Sequence, residues 1–238
     1  MQAKEICPHS LTGRHDGLAE LADFCAGSDQ YTWWQAPPYA GKSALMAWFV
    51  SNPPAALDVV SFFVVSQFPG QANSKACADA LTKQLMMLLG KPLRDSESAT
   101  VQRSLLELRI QAAAERSVRE GRRLLLVIDG IGEDRGAANR LPSIASLLPQ
   151  HPPDGLRVLV TSRPPLRIPD DVHEEHPLRR LKPRSIVPSR HAGGKDRRAR
   201  LEIEQMRAGG KFQRDVLGLI TAAGSLTESE LEELTGQS

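Results

Sequence analysis

Apolar and polar positions alternate along the chain in two textures. Four short runs are apolar at nearly every position: Tyr31–Gln35 (YTWWQ), Val59–Ser66 (VVSFFVVS), Leu124–Ile128 (LLLVI) and Arg157–Thr161 (RVLVT). Their β-branched and aromatic side chains predict strands, and the continuous run Val59–Ser66 fits one buried on both faces, as in a parallel sheet. The segments between them carry helical spacing. Ser43–Val50 reads as a helix opened by a glycine-containing turn. In residues 73–89, Ala76, Ala80, Leu81, Leu85 and Leu88 recur at three- or four-residue steps, with Asn73 placed to cap the start and Gly90 to end the run. Residues 99–120 form a second long helix, apolar at Leu105, Leu106, Leu108 and Ile110 and charged elsewhere, and Leu141–Leu148 a short one. This order predicts an α/β fold, a parallel sheet flanked by helices, over residues 1–178.

After Leu178 the texture changes. Residues 179–200 are dominated by Lys and Arg, with Pro183, Pro188, Gly193 and Gly194 among them and no apolar periodicity. A solvated basic linker over 179–211 is expected. Apolar spacing returns at 212–238, where Val216, Leu217, Leu219 and Ile220 make a helix face, and Thr227 with Glu230 three residues on reads as a capped helix start.

Composition narrows the function classes. The chain has 238 residues, 41% hydrophobic and 24% charged, enough apolar content for a sizeable core. Aromatics at 5% and a net charge of +2 argue against a dedicated nucleic-acid binder. Cys7, Cys25 and Cys77 have no CxxC spacing, so free thiols packed as small apolar groups are expected. The six histidines show no metal-ligand spacing; His173 and His176 are expected on an exposed turn. No apolar run approaches the roughly 18 residues of a membrane span, and no secretory leader is visible, so a cytoplasmic location is expected.

The candidate chemistry lies where strands end. Ala36-Pro37-Pro38-Tyr39-Ala40-Gly41-Lys42-Ser43 stands between a strand and an apolar helix, the setting of a GxxxxGK[ST] phosphate loop, with Ala36 at the first glycine position. Such a loop needs inward backbone N–H groups and the positive end of a helix. Ala40, Gly41, Lys42 and Ser43 are the expected donors. Lys42 would reach the β/γ-phosphates and Ser43 a Mg²⁺ ion. The second element is Leu124–Asp129 followed by Gly130-Ile131-Gly132-Glu133, where Asp129 would hold the metal and Glu133 would orient or deprotonate the attacking water. The third is Arg157–Thr161 running into Ser162-Arg163-Pro164, with Arg163 facing the γ-phosphate.

Five places together resemble the STAND class of P-loop NTPases, of the NACHT and NB-ARC type. Leu11-Thr12-Gly13-Arg14-His15-Asp16-Gly17-Leu18 is similar to the class's hhGRxxEL opening, and Ala36–Ser43 to its Walker A loop. Val127–Glu133 is similar to a Walker B of the form VIDGLDE, Val160–Pro164 to the sensor strand with its TSR motif, and Phe212–Gly236 to the start of a winged helix. The resemblance implies a nucleotide site that includes Arg14 near adenine, Ala36, Pro37, Pro38, Tyr39, Ala40, Gly41, Lys42, Ser43 and Ala44 along the loop, and Pro177 against ADP. It implies ATP/ADP and Mg²⁺ as cofactors and a signalling ATPase whose nucleotide state controls assembly. Departures weaken turnover: Gly132 stands where the class often has an acidic residue, and the interval after Leu178 is too short and too basic for a full helical lid. Slow hydrolysis is expected, with a neighbouring protomer or partner protein needed for efficient turnover. The alternative is a scaffold that holds nucleotide without hydrolysing it.

Overall fold

The apolar runs do become strands. In the computed structural model, which describes residues 2–38, 40–65, 72–93, 99–136, 141–186 and 203–223, the strands are β1 (Tyr31–Gln35), β2 (Leu57–Phe63), β3 (Arg123–Asp129), β4 (Leu156–Ser162) and β5 (Arg184–Ser185). The helices joining them are α1 (Gln2–Ile6), α2 (His15–Ala26), α3 (Lys42–Ser51), α4 (Ser74–Leu88), α5 (Ala99–Arg119) and α6 (Pro177–Arg180). All strand pairs are parallel and the order across the sheet is β2-β3-β4-β1-β5. The α/β expectation is borne out.

Side chains alternate across each strand and so sort into two cores. Trp33, Val60, Phe62, Leu126, Ile128, Val158 and Val160 face one side, against Leu81 and Leu85 of α4 and Leu106 and Ile110 of α5. Trp34, Phe63, Leu125, Val127 and Leu159 face the other, against Leu21 and Phe24 of α2 and Leu45, Met46 and Phe49 of α3. Burying each such Leu or Phe side chain contributes roughly 1.5–3 kcal/mol. These two apolar layers hold the C-terminal ends of β1, β3 and β4 at one edge, where the candidate residues lie.

Local signals act as expected in α4. The Asn73 side chain accepts from Ala76 N at 2.9 Å, satisfying a helix-end amide. Gly90 closes the run in the left-handed region at φ 65°. The helix expected over 141–148 is a correction: only a single 3₁₀ turn forms, Ala145–Leu147. Asp171 accepts from Ser143 N and Asp134 from Ile144 N, each at 2.6 Å, which satisfies amides that a helix start leaves unpaired. The turn stops at Leu148, which precedes Pro149 and is extended at φ −75° and ψ 140°.

A second correction concerns the stretch after Leu178. The sheet continues through it. β5 pairs with β1, matching Trp34 to Arg184 and Gln35 to Ser185, and Ile186 is buried beneath the sheet edge with its N–H on Gln35 O at 2.8 Å. Arg179 is an internal tie, donating to the carbonyls of Pro169 and Val172. Periodicity could not reveal a two-residue strand. The chain divides into two units, 1–189 and 190–238. Of the second, residues 203–208 and Lys211–Ala223 are helical, the latter including the expected face of Val216, Leu217 and Leu219. The capped start expected at Thr227 lies outside the described residues. Among the described residues no helix is long and apolar enough to cross a membrane.

Candidate functional site

The phosphate loop follows β1 directly. Gly41 caps α3 in the left-handed region at φ 81°, and a Cβ there would stand 3.1 Å from Arg14 Nη2. Both the turn and the close approach therefore require glycine. The first-turn N–H groups of Lys42, Ser43 and Ala44 have no partner within the helix and form its positive end. Ala40, expected as a phosphate donor, instead gives its N–H to Pro37 O at 3.3 Å. Ala36 is buried in the α2–α3 core, so a methyl group fits where the pattern has glycine. Pro37 and Pro38 are exposed, and Tyr39 lies outside the described residues.

Three elements converge at the loop. Lys42 Nζ pairs with Asp129 Oδ1 at 2.8 Å, and both side chains are buried. Ser43 Oγ donates to Asp129 Oδ2 at 2.6 Å. Thr161 Oγ1 accepts from Lys42 Nζ at 2.8 Å and donates to Asp129 Oδ1 at 2.5 Å. Asp129 thus receives a lysine and two hydroxyls, which compensates a carboxylate held away from water. On the opposite wall, Arg163 Nη2 pairs with Glu133 Oε1 at 2.9 Å. A cleft of about 170 Å³ lies between these walls, lined by Pro37, Pro38 and residues 40–44 on one side and Glu133 and Arg163 on the other. Two wider clefts of about 610 and 710 Å³ flank α5 and contain none of the sequence-predicted site residues. A phosphate chain needs donors more than volume, and the donors converge in the small cleft.

Arg14 and Pro177, both predicted for the site, are not among the residues lining the cleft. Arg14 donates Nη2 to the Ala40 carbonyl and is buried behind the loop, where it braces the backbone. Pro177 begins α6 and is not among the residues lining the loop cleft. Its neighbour Leu178 packs in the core beneath α4 and α5, the face opposite α3. His176, expected on an exposed turn, is buried; its ring meets that of Tyr31 edge-on at 5.6 Å. Tyr31 is the first residue of β1, so this turn belongs to the far end of the strand from the loop. Two polar residues of the TSR motif to which the sequence assigns no role of their own prove central. Thr161 joins Lys42 to Asp129, and Ser162 Oγ accepts from Trp33 Nε1 at 3.0 Å and Gln35 Nε2 at 3.1 Å. A hydroxyl pair ending a buried, largely apolar strand is the sequence signal that marks them.

The His176 contacts also define its charge state. Nδ1 accepts from Leu178 N at 3.2 Å, so the proton sits on Nε2, which faces Leu148 O at 3.2 Å. Burial pushes its pKa below 6.5; the Leu148 carbonyl pulls it up in part, and Arg179, His151 and His173 nearby push it down further. The unfolded chain then binds the proton more readily than the folded one. The contribution to stability is whole above about pH 6.5 and is lost as the pH falls through the lower folded value. Melting temperature measured from pH 8 to 5 should fall on the acid side, with a shallower fall in His176→Gln.

The thiols behave as packed apolar groups. Cys25 and Cys77 are buried and free, and burial pushes the Cys25 thiol up to about 11. Among the described residues no group of His, Cys, Asp and Glu could hold a metal by itself. A metal at the loop would therefore need phosphate oxygens as well.

Residues 19–163 match the family described as Nephrocystin 3, N-terminal. No curated protein matches the chain. Similar solved structures include the Walker-type ATPase PABY2304 of Pyrococcus abyssi, 12% identical over 97% of this chain and 64% of that one, with a TM-score of 0.47. Cdc6p from Pyrobaculum aerophilum is 14% identical over 75% and 46%, with a TM-score of 0.46. The Aeropyrum pernix ORC2 protein, solved as ADPNP-ADP complexes, is 12% identical over 66% and 43%, with a TM-score of 0.40. The chain thus spans 43% to 64% of the length of these three proteins. The family match covers more than half of the chain and includes the loop, Asp129 and Thr161; the chain belongs to the Nephrocystin 3 N-terminal family.

Proposed function

We propose that this chain binds ATP with Mg²⁺ and hydrolyses it slowly, as a signalling NTPase module whose nucleotide state controls assembly. The observation that carries the reading is the meeting of Lys42, Ser43 and Asp129 at one helix N-terminus. They come from two elements far apart in sequence, and each is the residue type a triphosphate site needs. The phosphates would lie against the N–H groups of residues 41–44, with Lys42 leaving Asp129 to meet the β/γ-oxygens. Ser43 Oγ and Asp129 Oδ2, hard oxygen donors 2.6 Å apart, suit Mg²⁺ once phosphate oxygens complete the shell. When bound, the ion would supply charge neutralisation on the phosphates.

In the hydrolytic step, water attacks the γ-phosphorus, the bond to the β–γ bridging oxygen breaks, and the water proton passes to the Glu133 carboxylate. Arg163 re-pairs from Glu133 to the γ-phosphate, which releases the carboxylate for that role. Lys42 stabilises the charge that develops on the phosphate oxygens.

The ion pair between Glu133 and Arg163 also favours a second reading, a scaffold that holds ATP with this carboxylate kept engaged. Mg²⁺-ATP should raise the melting temperature of the wild-type chain by mass action. No rise with ATP or ADP, with or without Mg²⁺, would sink both readings. Binding with phosphate release supports the enzyme, and binding without release supports the scaffold.

A further inference from the structure

On the nucleotide reading above, we infer that Arg14 is a positioning residue for the phosphates rather than a contact for the base. Its guanidinium holds the Ala40 carbonyl behind the loop and thereby turns the Gly41 N–H into the cleft. Arg14 stands just before α2, and its carbonyl accepts from Leu18 N at 3.0 Å, which ties it to the first turn of that helix. α2 lies close against α3: a Cβ on Gly17 would stand 3.2 Å from Leu45 Cδ2. Leu21 and Phe24 of α2 share a core with Leu45, Met46 and Phe49 of α3. The guanidinium therefore reaches the loop from a packed helix pair. Arg14 is 8% exposed, and its Nη2 donates to Ala40 O.

The consequence lies in the peptide unit that joins Ala40 to Gly41. That unit is trans, so its C=O and N–H point in opposite directions. Ala40 and Gly41 line the cleft, and Arg14 does not. With the carbonyl held on the Arg14 side, the Gly41 N–H points to the other side, where the cleft lies. Glycine tolerates either sign of φ, so this peptide could otherwise turn over. A carbonyl oxygen would then face the phosphates and repel them. Arg14 opposes the turnover in two ways. A guanidinium only donates, so it can hold an oxygen at this place and never an amide. It also lies against the glycine: at φ 81°, a Cβ on Gly41 would stand 3.1 Å from Nη2 and 3.9 Å from Nε and Cζ.

The test is binding of ATP, GTP and inorganic tripolyphosphate, each with Mg²⁺, by titration calorimetry to wild type, Arg14→Met and Arg14→Lys. Tripolyphosphate carries no base. In Arg14→Met all three should weaken by one common factor, about tenfold or more, the scale of one hydrogen bond to a charged group. Arg14→Lys keeps a donor and should restore most of the affinity. The Gly41 amide signal in proton–nitrogen correlation spectra reads the orientation itself. Tripolyphosphate should move its proton downfield in wild type and leave it in place in Arg14→Met. Loss confined to ATP would make Arg14 a base reader and overturn the inference. So would a Gly41 shift in Arg14→Met equal to that of wild type, or Arg14→Lys binding no better than Arg14→Met. An Arg14→Met variant that melts lower but binds all three as wild type does has lost a merely structural contact, which also overturns it. Arg14→Ala takes the place of methionine if that variant does not fold. Wild type that binds none of the three would overturn the nucleotide reading and this inference together. Wild-type binding with unaltered variants would overturn this inference alone.

Discussion

Glu133→Gln is expected to cut phosphate release by about 10²- to 10⁴-fold, the usual scale of general-base assistance, while leaving the Mg²⁺-ATP-dependent rise in melting temperature in place. Glutamine keeps the size of the side chain and can still accept a hydrogen bond from Arg163, but it cannot take the proton of the attacking water. The ion pair it alters contributes little to the stability of the empty protein, since the Arg163 side chain is 54% and that of Glu133 21% exposed. Binding and chemistry are therefore separable in one variant. Single-turnover phosphate release with excess protein is the measurement. A rate equal to wild type would remove Glu133 from the proposed chemistry and return the choice to the scaffold reading.

Lys42→Ala is expected to act twice. Without nucleotide it removes the cation from a buried pair and leaves the Asp129 carboxyl beside the Ser43 and Thr161 hydroxyls without it. Breaking a buried pair on one side costs roughly 3–5 kcal/mol. For a chain of this length that corresponds to a fall in melting temperature on the order of 10 °C. With nucleotide, the variant should show no further rise. The double variant Lys42→Ala/Asp129→Asn separates the two effects, because a neutral amide no longer needs the cation. It should regain much of the stability and none of the nucleotide response. If Lys42→Ala melts as wild type does, the lysine and carboxylate are not paired in the empty protein.

Much of the site was legible because its signals are local. The run Leu124–Asp129 shows a carboxylate at the end of a buried strand, and Gly41-Lys42-Ser43 shows a loop entering an apolar helix. The structure brings these stretches together although Lys42 and Asp129 are 87 positions apart. What was not legible depended on competition and cover. Arg14 sits in a glycine-rich opening that resembles an adenine-side motif, yet its guanidinium is drawn to the carbonyl of Ala40. His176 lies among charged neighbours in sequence, and only the approach of Tyr31 and Leu148 buries it.

The residue pattern alone determined the types of the long elements, the phosphate loop and the carboxylate that ends β3, since apolar period, capping residues and turn glycines act over a few neighbouring positions. Tertiary structure alone decided the strand order. That order set β4 between the loop strand and the Asp129 strand, made Thr161 the bridge between them and recruited residues 184–185 to the sheet edge. The reason is that strand neighbours are selected by the simultaneous burial of both sheet faces and the pairing of every buried amide, and that balance is struck across the whole chain.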